Sequence, residues 1–166
     1  MRKAVGDDIK IRCDANQSWT AAQAIRTIQK LAEFNVSMVE QPLSKWDLDG
    51  MAYITKTVDI PIGVDESLSS TREAVTIILI NAADFFSIKA TKHGGLMNSK
   101  LIGSMAHEAG KKMFINSMIE MGISVMFGLH FAASSPGLFD IGHALNSVRR
   151  LVDDILLEPV QYQGGE

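Results

Sequence analysis

Asp14, Glu40, Asp65 and Lys89 follow one another at intervals of 26, 25 and 24 residues. Each stands toward the C-terminal end of a short β-type run. Three carboxylates gathered at one place repel strongly, so a fold that gathers them calls for a cation. A set of carboxylate oxygens without imidazole or thiolate suits Mg2+ or Mn2+ rather than zinc. A lysine one interval further along is a candidate general acid or base. A single carboxylate after a strand is more often a helix cap or a loop charge. What favours a shared site is the near-equal spacing of three, followed by the lysine.

The elements that must position these groups are legible as alternating patterns. β-type runs occupy residues 9–16 (IKIRCDAN), 36–43 (VSMVEQPL), 61–68 (PIGVDESL), 85–92 (FFSIKATK), 112–120 (KMFINSMIE) and 140–145 (DIGHAL). Helical patterns lie between them. Thr20-x-x-Gln23 and Ser70-x-x-Glu73 are capping-box signatures. The first opens a stripe of Ala21, Ala24, Ile25, Ile28, Leu31 and Ala32, the second one of Ala74, Val75, Ile78 and Leu79. Residues 96–109 predict a helix with Leu101, Ile102, Met105 and Ala106 on its apolar stripe, and Gly110 stands where a terminating glycine belongs. Residues 122–133 predict another that buries Val125, Met126 and Leu129, and a weaker pattern spans 46–57.

One strand, one helix and two loops consume about 25 residues, so the repeat predicts parallel βα units in either a (β/α)8-type barrel or an open doubly wound sheet. Side-chain parity places Lys10, Arg12, Asp14 and Asn16 on one face, with Ile9, Ile11 and Cys13 against the helices. Met38 pairs in parity with Glu40, Gly63 with Asp65, and Ser87 with Lys89. Chemical groups at four successive strand ends converge in a barrel mouth but spread along a row in an open sheet, which favours the barrel.

The 166 residues suffice for one domain, and the 46% hydrophobic, 21% charged composition is that of a soluble globular protein. A net charge of −3 with no basic run speaks against nucleic acid, and no apolar stretch has the length of a membrane span. The single cysteine, Cys13, excludes an internal disulfide, and the N-terminus lacks the apolar segment of a signal peptide. A cytoplasmic location is expected.

The strings DANQSW (14–19), VEQP (39–42), VDES (64–67) and IKATKHGG (88–95) resemble the enolase superfamily, in particular its mandelate racemase and muconate-lactonizing family. By that resemblance Asp14, Glu40 and Asp65 bind Mg2+ (Mn2+ as a substitute) and Lys89 is the general acid/base. The implied reaction removes the proton α to a carboxylate through an enediolate, as in racemases, epimerases and cycloisomerases acting on small-molecule carboxylates. Lys89 must be neutral to accept that proton, and positive charge nearby favours the neutral form. An acid-sugar dehydratase is the rival within the superfamily; it would usually carry a histidine base on strand seven. A non-catalytic, metal-binding barrel fragment is the rival outside enzymology.

Further candidates are less strongly marked. Asn16 either contacts the substrate carboxylate or supports Asp14, with an Asx turn as the alternative. Glu66, opposite in parity to Asp65, is expected to engage a cation beside the site. Lys92 reads as support for the site rather than as the base, and Glu120 either faces the mouth or is a loop charge. Asp140 is a weak substrate-contact candidate. His93 is the histidine nearest the site, and His107 and His130 belong to helices.

The resemblance assigns residues 1–166 to strands three to eight of the barrel, an incomplete (β/α)8 barrel without the family's N-terminal capping domain. A whole barrel takes about 250 residues. The family's strand-two Lys-x-Lys element does not precede Asp14, so this chain alone is not expected to complete a two-base cycle. A fragment or truncated product is therefore expected. Unpaired strand edges would lead it to self-associate or to pair with the N-terminal portion.

Overall fold

The computed structural model describes residues 1–163. A one-turn helix, α1 (Arg2–Val5), precedes the first of five βα units. The strands are β1 (Ile11–Asp14), β2 (Val36–Glu40), β3 (Ile62–Val64), β4 (Phe85–Ile88) and β5 (Lys112–Ile115). They are followed in turn by α2 (Ala21–Ala32), α3 (Leu48–Thr57), α4 (Thr71–Leu79), α5 (Leu96–Glu108) and α6 (Gly122–Ala133). All neighbouring strands are parallel, in the order β1-β2-β3-β4-β5. A doubly wound sheet reverses its strand order at a switch point, and this sheet never does. It curls into a half-barrel, corresponding to strands three to seven of the full one.

Local chemistry accounts for the helix starts. Thr20 and Ser70 each accept the N3 backbone N–H while Gln23 and Glu73 reach back, so both capping boxes form. Asp47 caps α3 by accepting from the Gly50 N–H at 2.9 Å. After α5 the backbone turns through Gly110 at φ 70°, a conformation that glycine adopts without steric cost.

Two apolar layers sandwich the sheet. Ile28, Ile54, Ile77, Ile102 and Phe131 from the helices pack on Ile11, Val39, Ile62, Phe86, Ile88 and Ile115. The inner face holds Met38, Phe85 and Phe114, with Phe139 and Ile141 against them. Phe85 lies 5.7 Å from both Phe114 and Phe139 between ring centres, and the Arg12 guanidinium sits 5.1 Å above the Phe114 ring. Gly63 is demanded by this packing: a Cβ there would come within 2.0 Å of the Phe85 ring.

Several expectations need correction. The run 140–145 forms no strand; its backbone pairing is reduced to isolated bridges, Met113 with Leu138 just before the run and Asn116 with Ala144 within it. Six residues advance on one side against three on the other, so the ladder cannot continue in register. Leu101 and Met126 are exposed, because the buried stripes run through Ile102 and Ala106 in α5 and through Val125, Gly128 and Phe131 in α6. Val75 and Leu79 of α4 are exposed too, its buried positions being Ala74 and Ile77. Ile9 is 55% exposed, lying before β1 rather than within it. No helix is long and apolar enough to cross a membrane among the described residues.

Candidate active site

Asp14 and Glu40 are the last residues of β1 and β2 and stand opposite each other in the ladder. Asp65 and Lys89 come immediately after β3 and β4. The four groups predicted from spacing therefore share the C-terminal rim of one curled sheet. The strands stop where the chain turns: Asn16, Gln17 and Gln41 all have positive φ, at 41°, 64° and 34°. The regular strands end there and the polar ends of the runs become loops, still tied across by backbone bonds from Gln17 N–H to the Gln41 carbonyl at 2.7 Å and from Gln41 N–H to the Gly63 carbonyl at 2.9 Å.

Asp65 is the centre of charge. Lys89 Nζ donates to its Oδ2. Lys92 Nζ donates to its Oδ1 at 2.5 Å, to its backbone carbonyl at 2.6 Å and to the Ser87 carbonyl at 3.2 Å. Burial alone would raise the Asp65 carboxyl, but the charge of Lys92 and the bonds from both lysines outweigh it and hold the group below its ordinary value. Lys92 itself is lowered by burial, against the opposing pull of Asp65.

Glu40 is buried and lies beside two other acids. Burial first, then the charges of Asp65 and Asp14, push its carboxyl up to about 7, against a bond from Ser87. Asn116, at the end of β5, donates to Glu40 Oε1 and to Ser87 Oγ, each at 3.3 Å. Asp14 is raised by partial burial and by Glu66 and Asp65, while the Asn16 N–H, 2.9 Å from its Oδ1, opposes the rise. Asn16 thus closes an Asx-type turn on Asp14, and its Nδ2 also reaches Asp14 Oδ2 at 3.0 Å.

Glu66 faces amides rather than the expected cation, accepting from Gln17 Nε2 at 3.2 Å and Asn16 Nδ2 at 3.5 Å, and makes no ion pair among the described residues. Its other oxygen, Oε2, is buried without a partner among the described residues. Glu120 lies five residues beyond β5 rather than at its end; it is buried and accepts from Thr91 Oγ1 at 2.7 Å, tying two rim loops together. Asp140 pairs with Lys10 at 2.7 Å and comes just after the segment that bridges the start of β5. That is the end of the sheet opposite the carboxylates, which removes Asp140 from the substrate contacts.

Two residues carry more of the site than their sequence suggested. Gln41 is fully buried; its Oε1 accepts the N–H of Asp65 at 2.9 Å and of Ser67 at 3.1 Å. Its Nε2 donates to Ser67 Oγ at 2.9 Å and to the Leu43 carbonyl at 3.0 Å. His93, also buried, places Nε2 3.0 Å from the Leu68 carbonyl, which can only accept, so the neutral ring carries its proton there. A glutamine directly after the Glu40 strand end and a histidine just before two glycines were visible signals, but neither names its partners.

The carboxylates are neighbours, yet among the described residues no three His, Cys, Asp or Glu groups are drawn close enough to hold a metal ion as they stand. Their oxygens are turned instead to the ammonium groups of Lys89 and Lys92 and to the amides of Asn16 and Asn116.

Residues 1–166 match the family described as enolase C-terminal domain-like. The chain belongs to that family. It is 35% identical to the L-Ala-D/L-Glu epimerase of Bacillus subtilis (strain 168) over 99% of this chain and 45% of that enzyme. It is 31% identical to muconate cycloisomerase 1 of Rhodococcus opacus over 94% of this chain and 42% of the relative. A solved substrate-liganded complex of the Bacillus subtilis epimerase superposes with a TM-score of 0.92 at 33% identity, covering 99% of this chain and 46% of the other. The chain therefore spans less than half the length of these relatives, and the part it matches is the barrel of the enolase superfamily.

Proposed function

We propose that this chain carries the carboxylate cluster and one acid/base of an isomerase that removes the proton α to a carboxylate. The single observation that supports it most is the pairing of Lys89 with Asp65 on a rim that also carries Glu40 and Asp14. A buried glutamate raised to about 7 by burial and two neighbouring acids, and a buried glutamate oxygen lacking a partner among the described residues, are what surplus negative charge leaves behind. Asp14, Glu40 and Asp65 fit a hard divalent cation by their donor chemistry, and they would hold Mg2+, or Mn2+ in its place. When bound, that cation supplies positive charge beside the substrate carboxylate as the α-proton leaves.

Lys89 Nζ accepts or returns that proton on one face of the α-carbon. Asp65 holds its amine in the absence of a cation, and Gln41 fixes the backbone of Asp65. Small carboxylates such as N-acyl amino acids, dipeptides or muconate are the substrate class that this chemistry admits. Racemase, epimerase and cycloisomerase reactions share proton removal and differ in the fate of the resulting enediolate. An acid-sugar dehydratase with a histidine on strand seven fits less well: β5 ends beside Asn116, and His143 Nδ1 is occupied by the Ile115 N–H at 3.2 Å.

Calorimetric titration with Mg2+ tests the cluster. Binding is expected for the wild type and should be lost in Asp65→Ala; no binding, or undiminished binding in the variant, overturns the assignment. Deuterium exchange from solvent into the α-position of an N-acyl amino acid, read by proton NMR, tests the lysine, with Lys89→Ala expected to abolish it.

A further inference from the structure

Asp65 is contacted by two lysines whose attachments are unequal, and the inequality is informative. Lys92 is held at three points, the Asp65 carboxylate, the Asp65 carbonyl and the Ser87 carbonyl. Its three donors thus have three acceptors on two adjacent strand ends, which matches the capacity of an ammonium group. Among the described residues Lys89 is bound at one point, Asp65 Oδ2. Asp65 is 2% exposed, so its carboxylate has little freedom to serve further partners.

We infer that the two lysines divide the work at Asp65: Lys92 is a fixed positioning residue, and Lys89 is the exchangeable partner that a divalent cation displaces. The inference rests on the proposal that Asp65 is a cation ligand. A cation approaching Asp65 meets one oxygen anchored by a lysine with two further bonds, and another oxygen held by a lysine with this single contact. Exchange at Oδ2 costs that one contact, whereas exchange at Oδ1 leaves Lys92 short of a partner inside the protein. Cation binding and the availability of the Lys89 amine are then one event, so substrate proton transfer cannot precede cation binding. Lys92 meanwhile keeps the Asp65 carboxylate oriented by tying it to a carbonyl near the end of the neighbouring strand.

Trace labelling of lysines with acetic anhydride, read peptide by peptide in a mass spectrometer, tests this on the whole chain without turnover. In the wild type, Mg2+ at saturation is expected to raise labelling of Lys89 by about tenfold, the scale of one broken charge-assisted contact. Lys92 is expected to stay protected with and without Mg2+. In Asp65→Asn, labelling of Lys89 should be high from the start and indifferent to Mg2+. Calorimetry on the same sample separates the two layers. Absence of Mg2+ binding removes the cation proposal and this inference with it. Mg2+ binding with unchanged Lys89 labelling, or with Lys92 released alongside it, overturns the division of labour alone.

Discussion

At the scale of single residues, Gln41 is the joint between two site strands. It satisfies two buried backbone N–H groups just beyond the end of β3, those of Asp65 and Ser67. Gln41→Ala would strand both and is expected to cost about 2–4 kcal/mol, measured by urea unfolding; a loss below about 0.5 kcal/mol would show that water replaces the amide. His93 gives a pH prediction of definite sign. Burial first, then the charge of Lys92, lowers its folded value from 6.5 to about 4. The unfolded chain therefore takes up the proton first. The stability contributed by the neutral ring is complete above pH 6.5 and is lost as pH falls toward 4, by a total on the order of 3 kcal/mol. Unfolding free energies between pH 7 and 4 should show this decline, and His93→Gln should remove most of it.

At the scale of elements, helix starts and sheet packing make separable contributions. Thr20→Ala and Ser70→Ala each remove one half of a formed capping box and are expected to destabilise by about 1 kcal/mol, additively in the double variant because the helices are distinct. Gly63→Ala is different in kind. Its methyl group would meet the Phe85 ring, and β3 is buried along its length, so neither neighbour can withdraw freely. A loss of about 3 kcal/mol is expected, with a shift in the near-ultraviolet signal of the Phe85 cluster. An unchanged unfolding midpoint would show that the inner layer is looser than its packing implies. The capping boxes were legible as sequence because both partners lie within four residues of each other. The apolar stripes were less so: Leu101 and Met126 have the right residue type and nearly the right phase, but the neighbouring element decides which edge of a stripe is covered.

At the scale of the whole molecule, β5 is met on its outer side by residues 137–144, whereas β1 has no second strand beside it among the described residues. We propose that this edge drives self-association or pairing with an N-terminal barrel portion. Sedimentation velocity should then show a coefficient that rises with loading concentration, and a constant monomeric value at micromolar concentration would contradict it. By itself the sequence determined the βα repeat and the four rim residues Asp14, Glu40, Asp65 and Lys89, because strand parity and a fixed interval are local properties that survive without knowledge of partners; the family was legible only through the resemblance of the strings DANQSW, VEQP, VDES and IKATKHGG. The tertiary structure decided the rest. It turned Glu66 toward amides, sent Asp140 to the opposite end of the sheet, left the last run without a strand, and gave Lys92 three acceptors where Lys89 has one among the described residues. Those outcomes depend on which groups far apart in the chain come into contact, and contact at that range is set by how the sheet curls and what its interior must hold.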